Sequence, residues 1–92
     1  MHYQWDANKA KANFEKHGVM FADAIGVFDD PIALNMEDPD AEDEQRFLAT
    51  GLDLIGRVLI IVYTYRGNQV RLISARKATK REIKIYARGI RF

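Results

Sequence analysis

The run Val58-Leu59-Ile60-Ile61-Val62-Tyr63 limits what this 92-residue chain can fold into more than any other segment. Its β-branched residues favour a strand. It is apolar at odd and even positions alike, so a central strand covered on both sides along its middle is expected. Residues 45–52 and 69–76 are similar runs, set off from the central one (57–65) by Gly-containing breaks at 53–56 and 66–68, which predicts an antiparallel meander. The apolar run is far shorter than the roughly 20 residues of a membrane helix, and the first residues lack the basic-then-apolar pattern of a signal peptide. A cytoplasmic protein with no membrane partner is expected.

The remaining segments read as helices around that sheet. Asp6 is a good N-cap for a helix over 7–17, and Gly18 ends it. Phe21, Ala24, Ile25 and Phe28 fall at i, i+3, i+4 and i+7, the apolar face of a second helix stopped at Asp29-Asp30-Pro31. Residues 2–5 alternate as a short strand does, 32–36 suit another strand, and 37–44 form an acidic loop. Thr79-x-x-Glu82 is a capping box that starts a last helix near Lys80 and carries it to Arg88 or Gly89. Its expected core face is Ile83, Tyr86, Ala87 and Ile90; Lys80, Lys84, Arg88 and Arg91 form a basic stripe on the other side. Ninety-two residues leave room for one domain, spanning 1–92, and a chain of this size buries only about two thirds of its unfolded surface, so a shallow site is expected. The fold class is α+β: a small, mostly meander antiparallel sheet, two N-terminal helices and a basic C-terminal helix.

The net charge of +1 conceals a dipolar chain. Residues 1–56 carry four Lys/Arg against twelve Asp/Glu, giving −8; residues 57–92 carry ten against Glu82 alone, giving +9. A polyanion partner for the basic half is one reading, and mutual neutralisation across the fold is the other. The hairpin favours the first. A two-residue turn at Gly67-Asn68 sets Arg66 opposite Gln69 and, counting back, Leu59 opposite Arg76, which puts Arg57 and Arg76 on one face as diagonal neighbours. Only an odd-length loop or a bulge separates them. Two adjacent guanidinium groups call for carboxylates or a bound anion, and their planar forks match phosphate.

Several chemistries are excluded by what is missing. The chain has no cysteine, so disulfides and thiolate metal sites are absent. Gly51-x4-Gly56-Arg57 lacks the Lys-Ser/Thr end of a phosphate loop and leads into a strand. The acidic loop has Asp43 where a calcium loop needs Gly and Ala49 where it needs Glu. Only His2 and His17 are present, with no HExxH spacing, and no cofactor is expected. What remains is an acid/base inventory of His17, Tyr63, Tyr65 and Tyr86 beside a basic surface. RNA brings its own nucleophile, the 2′-hydroxyl, so positioning, proton transfer and charge stabilisation suffice to cleave it.

Trp5-Asp6, Lys9, Asn13, Lys16-His17-Gly18-Val19, Phe21, Ala24 and Val27-Phe28-Asp29-Asp30-Pro31 resemble the opening of the BrnT family of small toxins. Glu44-x-Arg46, Gly51 and above all Ile73-Ser74-Ala75-Arg76-Lys77-Ala78-Thr79, followed by Arg81-Glu82 and Tyr86, are similar to its second half. The one departure is a second helix that starts at Met20-Phe21 without a polar cap. The resemblance implies a fold like that of the RelE and ParE toxins and a metal-independent ribonuclease that blocks translation. It implies neutralisation by a BrnA-like antitoxin with a ribbon-helix-helix domain, and contact with operator DNA only through that antitoxin. By placement, the basic residues that hold the scissile phosphate in RelE-like nucleases fall on Arg57 and Arg76. Lys16, His17 and Glu44 are candidates for the general base, with Tyr86 as a further proton-transfer candidate. Arg46, Arg71, Lys77, Lys80, Arg81, Lys84 and Arg88 are expected to meet the RNA backbone. The alternative is a protein-binding module, as in the ParE branch, whose basic half docks an acidic partner without nucleolysis.

Overall fold

A computed structural model describes residues 2–42 and 44–89. In chain order they form β1 (His2–Gln4), α1 (Ala7–His17), α2 (Phe21–Ala24), a 3-10 turn (Ile25–Asp29), β2 (Leu34–Glu37), β3 (Phe47–Leu52), β4 (Val58–Arg66), β5 (Gln69–Lys77) and α3 (Lys80–Arg88). The single five-stranded sheet has the order β1-β5-β4-β3-β2. β2 to β5 run antiparallel as the meander reading expects, and β4 is central. The sheet is mixed, however: β1 lies parallel to β5, with His2, Tyr3 and Gln4 opposite Gln69, Val70 and Arg71.

Local chemistry explains the boundaries. The Asp6 carboxylate accepts from the Lys9 N–H at 2.9 Å to start α1, and Gly18, at φ 70°, ends it. The second helix is shorter than the apolar spacing predicts. After one α-turn it tightens into the 3-10 turn, where the backbone runs so close to the β3–β4 turn that a Cβ on Gly26 would stand 2.6 Å from the Leu54 nitrogen. Thr79 and Glu82 form the expected reciprocal capping box.

Among the described residues the main core cluster lies on one face of the sheet. Val19, Phe21, Ala24 and Val27 of the helical layer pack onto Leu59, Ile61, Tyr63, Val70, Leu72 and Ala75 of the sheet. Asn13 of α1 is buried and donates to the carbonyls of Val19 (3.0 Å) and Ala75 (2.9 Å), while its Oδ1 accepts from the Ala75 N–H at 3.0 Å. This carboxamide serves both backbone groups of Ala75 beyond the point where β1 ends, replacing a missing strand.

Among the described residues, the second cover expected over β4 is only partial. By alternation Leu48, Thr50, Ile60 and Val62 point away from the helical layer, and with Leu34 and Met36 they floor an open groove of about 370 Å³. α3 reaches the groove only at its margin, through Glu82 and Ile85. Its expected core face is corrected accordingly: Tyr86 alone is buried, whereas Ile83 and Ala87 are exposed. Ile90 and Arg91 lie outside the described residues. Two ties hold α3. The Tyr86 hydroxyl donates to Asp30 Oδ2 at 2.5 Å, and Glu82 pairs with Arg76.

Candidate functional site: a basic margin on the open face of the sheet

Arg57 and Arg76 do not share a face. The β4–β5 pairing starts as counted, with Arg66 opposite Gln69 and Tyr63 opposite Leu72, but Val62 then faces Ser74 and Ile73 is passed over. That bulge shifts the rest of the strand by one residue, so Leu59 faces Lys77 and Ile60 faces Arg76. Leu72 and Ala75, three apart, both enter the core, and Ser74 and Arg76 turn to the open face.

Arg57 belongs to the helix-covered side and is engaged there. Its Nε and Nη2 donate to Asp53 Oδ2 at 2.9 and 2.8 Å, and its Nη1 donates to the Gly18 carbonyl at 3.3 Å. The Asp53 carboxylate is fully buried, and Asp23 lies 4.0 Å from the same guanidinium. Arg57 thus stitches the β3–β4 turn to the end of α1. Lys16 and His17 sit in the last turn of α1, in the helical layer, and neither lines the groove that Arg76 borders.

Arg76 lies at the groove margin with its side chain 41% exposed. Its Nη1 and Nη2 donate to Glu82 Oε1 and Oε2 at 2.8 and 2.9 Å, a two-pronged ion pair. These hydrogen bonds, with help from Thr79, lower the Glu82 carboxyl to about 2 and raise the Arg76 guanidinium. Lys77, Lys80, Arg81, Lys84 and Arg88 are exposed around this pair, from the end of β5 along α3. Together they give the end of β5 and α3 a cationic border beyond Arg76, while of α3 the groove itself is lined by Glu82 and Ile85.

The other expected positions lie elsewhere. Glu44 and Arg46 flank the start of β3 at the far end of the sheet, where Glu44 sits 3.9 Å from Arg46 and 4.0 Å from Arg66. Arg71 donates to Gln4 Oε1 at 3.1 Å on the β1 side. Tyr86 is buried; desolvation, and then its hydrogen bond to Asp30, push its hydroxyl up to about 12, so it is held as a protonated fastener of α3. Asp30 is held below the usual carboxylate range, since the Tyr86 hydroxyl and the Leu52 and Ile32 N–H groups outweigh its partial burial. Sequence reasoning expects a basic groove at one sheet end, floored by Arg57 and Arg76 and walled by the last helix. The groove has an apolar floor instead, with Arg76 at its margin and Arg57 on the other face, and the two-faced apolarity of 58–63 was the signal for it. Sequence reasoning also treats Glu82 only as a cap and overlooks its partnership with Arg76.

No metal-ligating group of three or more His, Asp or Glu occurs among the described residues, and none of their helices is long and apolar enough to cross a membrane. No curated protein matches the sequence. The crystal structure of the Brucella abortus ribonuclease toxin BrnT is similar, with a TM-score of 0.65 and 25% identity, covering 87% of this chain and 100% of that one. The sequence profile described as the ribonuclease toxin BrnT of type II toxin–antitoxin systems matches residues 5–82, which include the α1 caps, the bulged strand and the Arg76–Glu82 pair. With that match over most of its length, the chain belongs to the BrnT family of ribonuclease toxins of type II toxin–antitoxin systems.

Proposed function

We propose that the chain is a metal-independent endoribonuclease that cleaves RNA on the open face of its sheet, with Arg76 receiving the scissile phosphate. The observation that carries this reading is Arg76 itself, a partly exposed guanidinium at the junction of the apolar groove and the cationic border. A nucleobase suits the groove, and the backbone suits the border of Lys77, Lys80, Arg81, Lys84 and Arg88. Arg57 supports the site from the other face, by fixing the turn that leads into β4. The physiological outcome is a block of translation, relieved by a BrnA-like antitoxin whose ribbon-helix-helix domain carries the complex to operator DNA. Membership in a type II toxin family implies an antitoxin partner.

The test is RNA cleavage in excess chelator by the purified wild type and by Arg76→Gln. Cleavage that survives chelation and is lost in the variant supports the reading. Intact RNA, both naked and ribosome-bound, would sink it. The apolar groove floor favours a second reading, in which an acidic protein segment docks there without nucleolysis. Under that reading, binding of an acidic peptide weakens in Arg76→Gln while RNA stays intact throughout.

A further inference from the structure

Glu82 holds Arg76 in the geometry that a phosphate would adopt on the same guanidinium. Its two oxygens are not equivalent. Oε1 accepts from both Arg76 Nη1 and the Thr79 N–H, each at 2.8 Å, whereas Oε2 accepts only from Arg76 Nη2 at 2.9 Å. If a phosphate takes the Arg76 fork, the capping bond to Thr79 still anchors the carboxylate and Oε2 loses its partner. In a near-attack geometry the 2′-oxygen lies ~3–3.5 Å from phosphorus, so a carboxylate beside the phosphate-binding arginine is within hydrogen-bond reach of that hydroxyl.

We infer that Glu82 is the catalytic base of the ribonuclease proposed above, taking the 2′-hydroxyl proton on Oε2 once a phosphate has displaced it from Arg76. This inference rests on that reading. As the proton passes to Glu82, the O2′–P bond forms and the P–O5′ bond breaks; the departing 5′-oxygen takes a proton from water. The products are a 2′,3′-cyclic phosphate and a 5′-hydroxyl. In the free protein the Arg76 pair keeps Glu82 ionised and unreactive, and loss of that pair on phosphate binding restores its basicity. Among the described residues lining the groove, Arg76 is the other ionisable group facing Glu82. β2, β3 and β4 contribute apolar side chains together with Asn35 and Thr50, and β5 adds Ser74. On α3 itself the remaining charged groups are Lys80, Arg81, Lys84 and Arg88, all exposed.

The experiment compares wild type, Glu82→Gln and Glu82→Asp on a labelled single-stranded RNA of mixed sequence, naked and ribosome-bound, across a pH series. Glutamine retains an oxygen for the Thr79 N–H, and thermal unfolding confirms that each variant folds. If Glu82 is the base, Glu82→Gln loses ~100-fold or more in cleavage rate and its acid limb flattens. It binds the RNA as tightly as wild type or tighter, because Arg76 is unmasked, while Glu82→Asp retains part of the activity. A pairing role alone predicts the opposite sign, faster cleavage by Glu82→Gln with an unchanged pH profile, and that result overturns the inference while leaving the ribonuclease reading intact. An inactive wild type overturns both.

Discussion

Replacing Asn13 with alanine tests the account of how α1 secures the functional strand. The side chain makes three hydrogen bonds, and every partner belongs to a residue with no solvent exposure, Val19 or Ala75. Alanine strands two carbonyls and one N–H in the interior. A buried backbone group without a partner costs about 1–3 kcal/mol, and part of that is recovered by local relaxation, so a loss of about 2–4 kcal/mol follows. Against a stability of about 5–15 kcal/mol for a domain, this is a large fraction. At about 4–8 °C per kcal/mol for a chain of this size, Tm falls by roughly 10–25 °C. Asn13→Asp sharpens the test. Its carboxylate still accepts from the Ala75 N–H but faces two carbonyls, so it is at least as damaging at neutral pH and partly relieved in acid. Urea unfolding followed by circular dichroism measures both variants. An Asn13→Ala protein within about 0.5 kcal/mol of wild type would show that water or backbone adjustment satisfies Ala75, and would refute the carboxamide as a strand surrogate.

Three further outcomes follow from the geometry. Arg57→Ala leaves the buried Asp53 carboxylate without its guanidinium, costing about 3 kcal/mol in urea unfolding; Asp53→Asn in the same chain restores part of the loss, and additive losses would contradict the pairing. Tyr63, raised chiefly by burial, and Tyr86 both titrate at about 12 in the fold against 10.0 when free, so their contribution is complete below pH ~10 and is lost as pH rises through about 12. Tyr86→Phe therefore removes its share of this alkaline decline, leaving those of Tyr63 and of Tyr3, which burial also raises; an unchanged pH dependence argues against the Asp30 tie. If the cationic border tracks RNA, affinity falls steeply with salt and Lys84→Ala reduces the log–log slope by ~1, whereas a flat response favours protein docking.

Much of the local structure was legible because its determinants are local. Asp6, Gly18, Thr79 and Glu82 act within one turn of chain, and the helix ends they imply for α1 and α3 are those observed. β1 was different: the alternation of residues 2–5 marks a strand, but not its parallel partner, which lies more than sixty positions away. The open face of β4 was misread because a groove and a core place the same apolar demand on a strand. Ile60 and Val62 satisfy both. Placement of the candidate site depended on one bulge. Ile73 is as apolar as its neighbours, and nothing in its type marks it as the residue to be passed over. Glu82 was recognised through its capping pattern, but its second partner required the sheet end and α3 to be seen together.

The bulge gives Arg76 a role in folding that is separate from any ligand. Without it, the ladder beginning at Arg66 and Gln69 would continue unbroken, and Arg76 would stand opposite Leu59 among the core residues. Burial of an unpaired guanidinium there is costly enough to exclude that arrangement. The charge thereby disfavours the unbroken register, in which Arg76, not Ala75, would enter the interior. An apolar replacement such as Arg76→Leu removes the penalty and lets two strand alignments compete, so its loss of activity would mix a missing cation with a misaligned strand. A polar replacement keeps the discrimination. The residue proposed to receive the phosphate is then also the one whose charge favours the observed strand alignment.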